Sequence, residues 1–161
     1  MYIGTFFANK LPDAYFQMVY PEEKKMNPFS ELKEYKTLLV DDDDLIRDSL
    51  SRAFASKACS LRTVESAAEG LEALQKEDFD IVISELRLPG KGGLCFLKQA
   101  ASRRPQALHV LFTSYRDDHL LAETSFVGID DLVEKPFSIN TLASALVLSL
   151  KKQEKKSNVL K

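Results

Sequence analysis

The sequence predicts a doubly wound α/β sandwich, a five-stranded parallel sheet with helices on both faces. Three observations predict it. From Thr37 onward, short apolar runs alternate with helix-spaced patterns. The first, third and fourth of these runs are near-continuous Leu, Val, Ile and Phe, as strands buried on both faces must be. Right-handed crossovers between parallel strands then put helices on both sides, and in the usual strand order 2-1-3-4-5 the loops at the carboxyl ends form the binding crevice.

The strands are expected at Thr37–Val40, Ser60–Val64, Ile81–Ser84, Val110–Thr113 and Leu132–Glu134. Leu45, Ile46, Ser49, Leu50, Ala53 and Phe54 recur at helical spacing and give a first helix with one apolar face. Ser66 with Glu69 forms a capping box that starts a second helix, with Leu71 and Leu74 on one side. A third helix is expected from about Leu94 to Ser102, and a fourth from about Asp118 to Val127 with Gly128 as its stop. The last starts at Ser138 and runs to about Lys152, leaving residues 153–161 as a basic tail.

At 161 residues and 45% hydrophobic, the chain is long enough for one domain that buries roughly two-thirds of its unfolded surface. Charge is unevenly spread: residues 37–150 hold 12 basic against 18 acidic side chains, and residues 151–161 hold five lysines against one glutamate. An acidic body disfavours nucleic acid as a partner. The lysine-rich end reads as a solvated helix terminus. Cys59 and Cys95 have neither disulfide-framework nor zinc spacing, and no apolar run approaches the roughly 20 residues that cross a bilayer, so a cytoplasmic protein without a membrane segment is expected. Residues 1–36 form an N-terminal extension without a motif, with eight of the 15 aromatics and with Pro12, Pro21 and Pro28 breaking any long element. The segment either packs on the domain or lies upstream of the natural start, since Met26 opens a short polar lead into the first strand.

The strand ends carry the chemistry. LLVDDDDLIRDSL places Asp41 and Asp42 where the first strand stops. Like charges so close need a cation, a basic side chain or solvent to compensate them, and oxygen ligands of this type suit magnesium. Asp43 and Asp44 instead favour the start of the following helix. The third strand ends in Glu85, beside the first in the expected order, so three carboxylates are placed at one crevice. The fourth strand ends with Thr113 and Ser114, and the fifth with Lys135 before Pro136. Acidic cluster, hydroxyl and lysine are what an acyl-phosphate site requires, the carboxylates holding Mg²⁺ while metal and lysine neutralise the phosphoryl oxygens.

Over about residues 37–152 the chain resembles a response-regulator receiver domain of two-component signalling, which has the flavodoxin-like form of this fold. The likeness rests on LLVDDDDLIRDSL, DIVISELRLPGKGGLCFL, VLFTSY and GIDDLVEKPF, in the same order and spacing. It implies Asp42 as a direct magnesium ligand, Asp41 acting through water and the Arg87 carbonyl as a further ligand. It also implies Thr113 and Lys135 at the phosphoryl group and a cis Lys135–Pro136 bond. Three positions depart from the pattern. Glu85 stands where the family has its phosphoacceptor aspartate, and its extra methylene moves the carboxylate by up to about 1.5 Å. A misplacement of about 1 Å lowers a transfer rate roughly a hundredfold. Gly92 replaces a common acidic residue, and Leu132 stands at the switch position, where the family has Tyr or Phe.

The resemblance implies no enzyme but a module acting through contacts with a sensor histidine kinase, a phosphorelay protein or an effector. Glu85 makes phosphorylation-independent or constitutive signalling the expectation, whether by partial mimicry of a phosphoaspartate or as a domain kept for binding. The alternatives are a degenerate flavodoxin-like binding scaffold and a haloacid-dehalogenase-like phosphatase, the latter opposed by Leu45 where its motif needs Thr or Val. In receivers the helix before the fifth strand, that strand and the last helix form the output face. The last helix has two apolar stripes, Ile139, Leu142, Leu146 and Ser149, and Ala143, Val147 and Leu150. One must be core; the other is covered either by a second copy or effector, giving a homodimer in the first case, or by the N-terminal segment. His109 and His119 show no ligand or nucleophile pattern and are expected to be structural or exposed. With no output domain before residue 161, the chain is expected to be a stand-alone receiver or a fragment of a longer regulator.

Overall fold

A computed structural model of the chain describes residues 27–114 and 128–160. Ten elements follow one another: α1 (Pro28–Leu32), β1 (Lys36–Val40), α2 (Asp44–Ser56), β2 (Ser60–Val64), α3 (Ala67–Lys76), β3 (Ile81–Glu85), α4 (Gly93–Arg103), β4 (Leu108–Thr113), β5 (Asp131–Glu134) and α5 (Ile139–Val159). The helix expected over 118–127 and His119 lie outside the described residues. The strands form one sheet in the order β2-β1-β3-β4-β5, every pairing parallel. The expected flavodoxin-like topology is therefore the one observed.

Alternation along the strands sends side chains to two separate cores. Leu39, Ile81, Ile83, Val110, Phe112 and Val133 face α1, α2 and α5, while Leu38, Val40, Val82, Leu111 and Leu132 face α3 and α4. Local chemistry sets the helix starts. Asp43 caps α2, its carboxylate accepting from Leu45 N at 2.9 Å and Ile46 N at 3.4 Å. Ser66 caps α3 by accepting from Glu69 N at 3.2 Å, and Ser138 caps α5 by accepting from Thr141 N at 3.0 Å. Among the described residues no helix is long and apolar enough to cross a membrane.

At the ends of the domain, one alternative for the N-terminal extension is met and the expected end of the last helix needs correction. The extension's described residues pack on the domain before residue 37: Asn27 caps α1 with Pro28 in its first turn, and Phe29 and Leu32 are buried in the core. Phe29 meets the Phe54 ring edge to face at 6.1 Å, and its carbonyl accepts from the Cys59 thiol at 3.3 Å. At the other end, α5 continues well past Lys152 to Val159. Its apolar pattern stops at Leu150, but Lys, Gln and Glu are good helix formers. The added turns are tied down by Gln153, which donates to Gln106 O at 3.1 Å, and by Glu154, which accepts from the Tyr35 hydroxyl at 3.1 Å.

The second apolar stripe of α5 is not a free surface. Leu142, Leu146 and Ser149 are buried, and so are Ala143, Val147 and Leu150. Residues of α1 share that core cluster, and Glu31 of α1 pairs with Lys151 of α5 at 3.5 Å. The N-terminal segment thus covers the face for which a second copy or an effector was the other candidate.

Candidate functional site

The site lies at the carboxyl end of the sheet, where the strand pairing brings four strand ends together. Glu85 is the last residue of β3 and pairs with Phe112, next to Thr113, the last residue of β4. Thr113 pairs with Glu134 of β5, and the Lys135 amide donates to the Thr113 carbonyl at 2.7 Å. Asp41 follows β1 directly, and its amide donates to Val64 O at 3.1 Å. The β3–α4 connection is pressed against Glu85: a Cβ on Gly93 would stand 1.8 Å from the Glu85 carbonyl oxygen, so only glycine lets the chain turn there.

At the centre is the Lys135 ammonium. Its Nζ donates to Asp41 Oδ2 at 2.8 Å and lies 2.6 Å from Glu85 Oε2. The second contact is an ion pair set off the hydrogen-bond direction, which leaves Oε2 without a well-aligned donor. Glu85 Oε1 accepts weakly from the Arg87 amide at 3.4 Å. The Lys135–Pro136 peptide is cis, as the resemblance implied, and the Phe112 ring centroid lies 5.9 Å from Nζ. Burial alone would pull the lysine pKa down, but the close contacts with Asp41 and Glu85 and their negative charge outweigh it and hold the group above its ordinary value.

Asp41 is fully buried, and each of its polar groups is engaged. Besides the amide and Oδ2, Oδ1 accepts from Asp43 N at 3.0 Å, and the carbonyl accepts from Arg47 Nη1 at 2.7 Å. Arg47, on α2, also reaches Glu65 Oε2 at 3.8 Å and so links the loops after β1 and β2. It is a member of the site that sequence reasoning missed. The one signal available was a basic residue six positions after Asp41, facing an acidic loop.

The structure thus gathers Asp41, Glu85, Thr113 and Lys135, with Arg87 beside Glu85 through its amide. Asp42 is the exception: it is exposed, at the bend that follows β1. The expected trio of carboxylates around magnesium is therefore not formed. Both Asp41 oxygens are taken by Asp43 N and Lys135, Glu85 is paired with the same lysine, and among the described residues no group of three acidic, His or Cys side chains could hold a metal ion. In this arrangement the residues do not fit the octahedral oxygen cage that Mg²⁺ demands. Leu132 is buried with Leu111 in the core on the α3 and α4 side. His109 is buried too, its Nδ1 3.6 Å from Asp130 Oδ2, in keeping with a structural role.

Comparison with known proteins agrees with this geometry. Residues 37–147 match the family model of the response regulator receiver domain. The DNA-binding transcriptional regulator NtrC of Escherichia coli (strain K12) is 38% identical over 109 residues, which cover 68% of this chain and 23% of NtrC. The transcriptional regulatory protein FixJ of Azorhizobium caulinodans is 31% identical over 112 residues, 70% of this chain and 53% of FixJ. The chain thus spans only part of the length of these relatives. Among solved structures, a CheY-like response regulator receiver domain protein from Methanospirillum hungatei JF-1 superposes with a TM-score of 0.71 at 26% identity, covering 76% of this chain and 98% of that one. The signal receiver domain of an HD domain-containing protein from Pseudomonas fluorescens Pf-5 gives 0.69 at 27% identity over 75% and 98%. Sequence, sheet order and the cluster around Lys135 together place the chain in the response regulator receiver family of two-component signalling.

Proposed function

We propose that this receiver domain signals through protein contacts without being phosphorylated, Glu85 and Lys135 holding the site in one state. The observation that carries the reading is the position of Lys135, bound at once by Asp41 at 2.8 Å and Glu85 at 2.6 Å. The lysine that would neutralise an incoming phosphoryl group already has two counter-charges. Glu85 carries its carboxylate farther out than an aspartate, towards that lysine, and an attacking oxygen paired with an ammonium is a poor nucleophile. A carboxylate supplies one negative charge where a phosphate supplies roughly 1.5 to 2, so Glu85 mimics a phosphorylated acceptor only in part. Leu132 offers no aromatic ring to rotate towards Thr113, so a change at the site has no switch of that kind to move. An effector, a sensor histidine kinase or a phosphorelay protein then recognises a standing surface.

Acetyl phosphate with phosphate mapping tests the reading. In the working reaction a carboxylate oxygen forms the P–O bond as acetate leaves. The chain is expected to remain unlabelled, while Glu85→Asp, which shortens the arm, gains label at residue 85. Label on Glu85 at a rate comparable with the aspartate variant would overturn the proposal.

A further inference from the structure

We propose that Asp131 is a proton-operated latch at the contact of β5 with α5: neutral, it is accommodated in the buried contact, and ionised, it destabilises the folded domain. The inference uses residues at the amino end of β5, away from Lys135, and stands apart from the reading of Glu85. Asp131 is 1% exposed. Its Oδ2 accepts from the Ser149 hydroxyl of α5 at 2.9 Å and its Oδ1 from the Leu132 amide at 2.8 Å. Two donors serve a carboxylate that has about four lone-pair sites, and Lys152 of α5 adds a charge interaction weaker than either hydrogen bond.

A carboxylate so deeply buried is costly to keep charged, and burial favours its protonated form. Protonated, Oδ2 can donate to the Ser149 oxygen, so the bridge between strand and helix survives without a buried charge. The groups around Asp131 set the balance. Its partner across the β4 pairing is Val110, which offers no charge. Burial raises its pKa to about 7, against the lowering pull of the Ser149 and Leu132 hydrogen bonds and of Lys152 on α5, and with a further upward push from Asp130. A carboxyl group raised in the folded state adds stability that is complete below its unfolded value of 3.8 and is lost as the pH climbs through about 7. Between pH 6 and pH 8 that amounts to about a tenfold rise in the unfolding equilibrium constant. Because one partner of the carboxyl lies on α5 and the other is the amide of Leu132, the proton acts on the strand and helix that receivers use as their output face.

The test is the carbon resonance of the Asp131 carboxyl group, followed from pH 4 to pH 9 in the full chain. A midpoint close to neutrality is expected, and one below pH 5 overturns the latch. Urea unfolding of the chain and of Asp131→Asn at pH 6 and pH 8 gives the second reading. Relative to the variant, the parent's unfolding constant should rise about tenfold between the two conditions, and any contribution from His109 cancels in the ratio. A ratio that does not change with pH sinks the idea. Should Asp131→Asn not fold, Ser149→Ala serves in its place. Loss of the hydroxyl removes a donor to the ionised form, so the Asp131 midpoint must rise, and a midpoint that stays or falls is a contrary result.

Discussion

Asp41 and Asp131 are the same residue, equally buried, at opposite ends of the same sheet, and they do different chemistry. Asp41, at the carboxyl end, has an ammonium at 2.8 Å and donors on every other polar atom. Asp131, at the amino end, has a hydroxyl and one amide, and its pKa is pushed up to about 7. Burial by itself does not decide whether a carboxylate stays charged. The difference is the lysine, which the chain delivers to Asp41 from 94 residues away. One end of the domain is therefore an ionic cluster, and the other is a carboxyl group whose burial favours the protonated form.

Removing that lysine should have the largest effect. Lys135→Met leaves Asp41 and Glu85 facing each other without a cation. Breaking a buried ion pair from one side costs about 3–5 kcal/mol. Chemical unfolding at pH 7 should show a loss of that order. A loss under about 1 kcal/mol would mean that solvent, and not Lys135, balances the cluster. The parent's own pH profile bears on the same point. The lysine pKa is raised above 10.5, so its contribution is intact below that value and disappears only as the pH climbs past it, which unfolding curves in alkaline buffer will register.

Arg47→Met should come next. It removes the donor to the Asp41 carbonyl and the bridge to Glu65. A hydrogen bond from a charged group is worth about 1.5–3 kcal/mol, and the lower half of that range is expected because Glu65 is largely exposed. Arg47→Lys should recover little, since a single ammonium cannot span both acceptors as a planar fork does. If Arg47→Met leaves the Lys135 ammonium resonance and its pKa unchanged, the arginine supports the helix and does not position Asp41.

The contrast also explains what was legible in the sequence. Asp41, Glu85, Thr113 and Lys135 each stand at the end of an apolar run, and strand order alone then brings them to one edge. That edge does not say which way each side chain points. Asp41 and Asp42 are neighbours in the chain, but the first is buried and the second is exposed at the bend after β1, and the expected magnesium set was lost at that step. Arg47 looks like any basic residue on a helix surface. Phe29 and Leu32 sit in a helix of five residues, too short for periodicity to register, so the cover they place over α5 was legible only as one of two alternatives. Asp131 was hidden by Asp130, because two acidic residues before a strand read as a solvated turn. The pairing of Asp131 with Ser149 depends on which stripe of α5 meets the sheet, and both stripes proved to be buried.

The smallest effect is the pH-dependent part of Ser149→Ala, which probes the comparison from the other side. At pH 8 the hydroxyl donates to an ionised carboxylate, a bond worth about 1.5–3 kcal/mol when one partner is charged. At pH 5.5 the carboxyl is mostly protonated and can turn its own proton elsewhere, so the loss should shrink towards the 0.5–1.5 kcal/mol of an ordinary neutral bond. The variant should therefore be more strongly destabilised in base than in acid, by about 1 kcal/mol in the difference. The equivalent loss at Asp41, produced by Arg47→Met, should be nearly flat between these pH values, because the bond removed runs from a guanidinium to a backbone carbonyl. Equal pH dependence at both ends of the sheet would show that a shared property of the fold, and not the presence or absence of a cation, governs the two carboxylates.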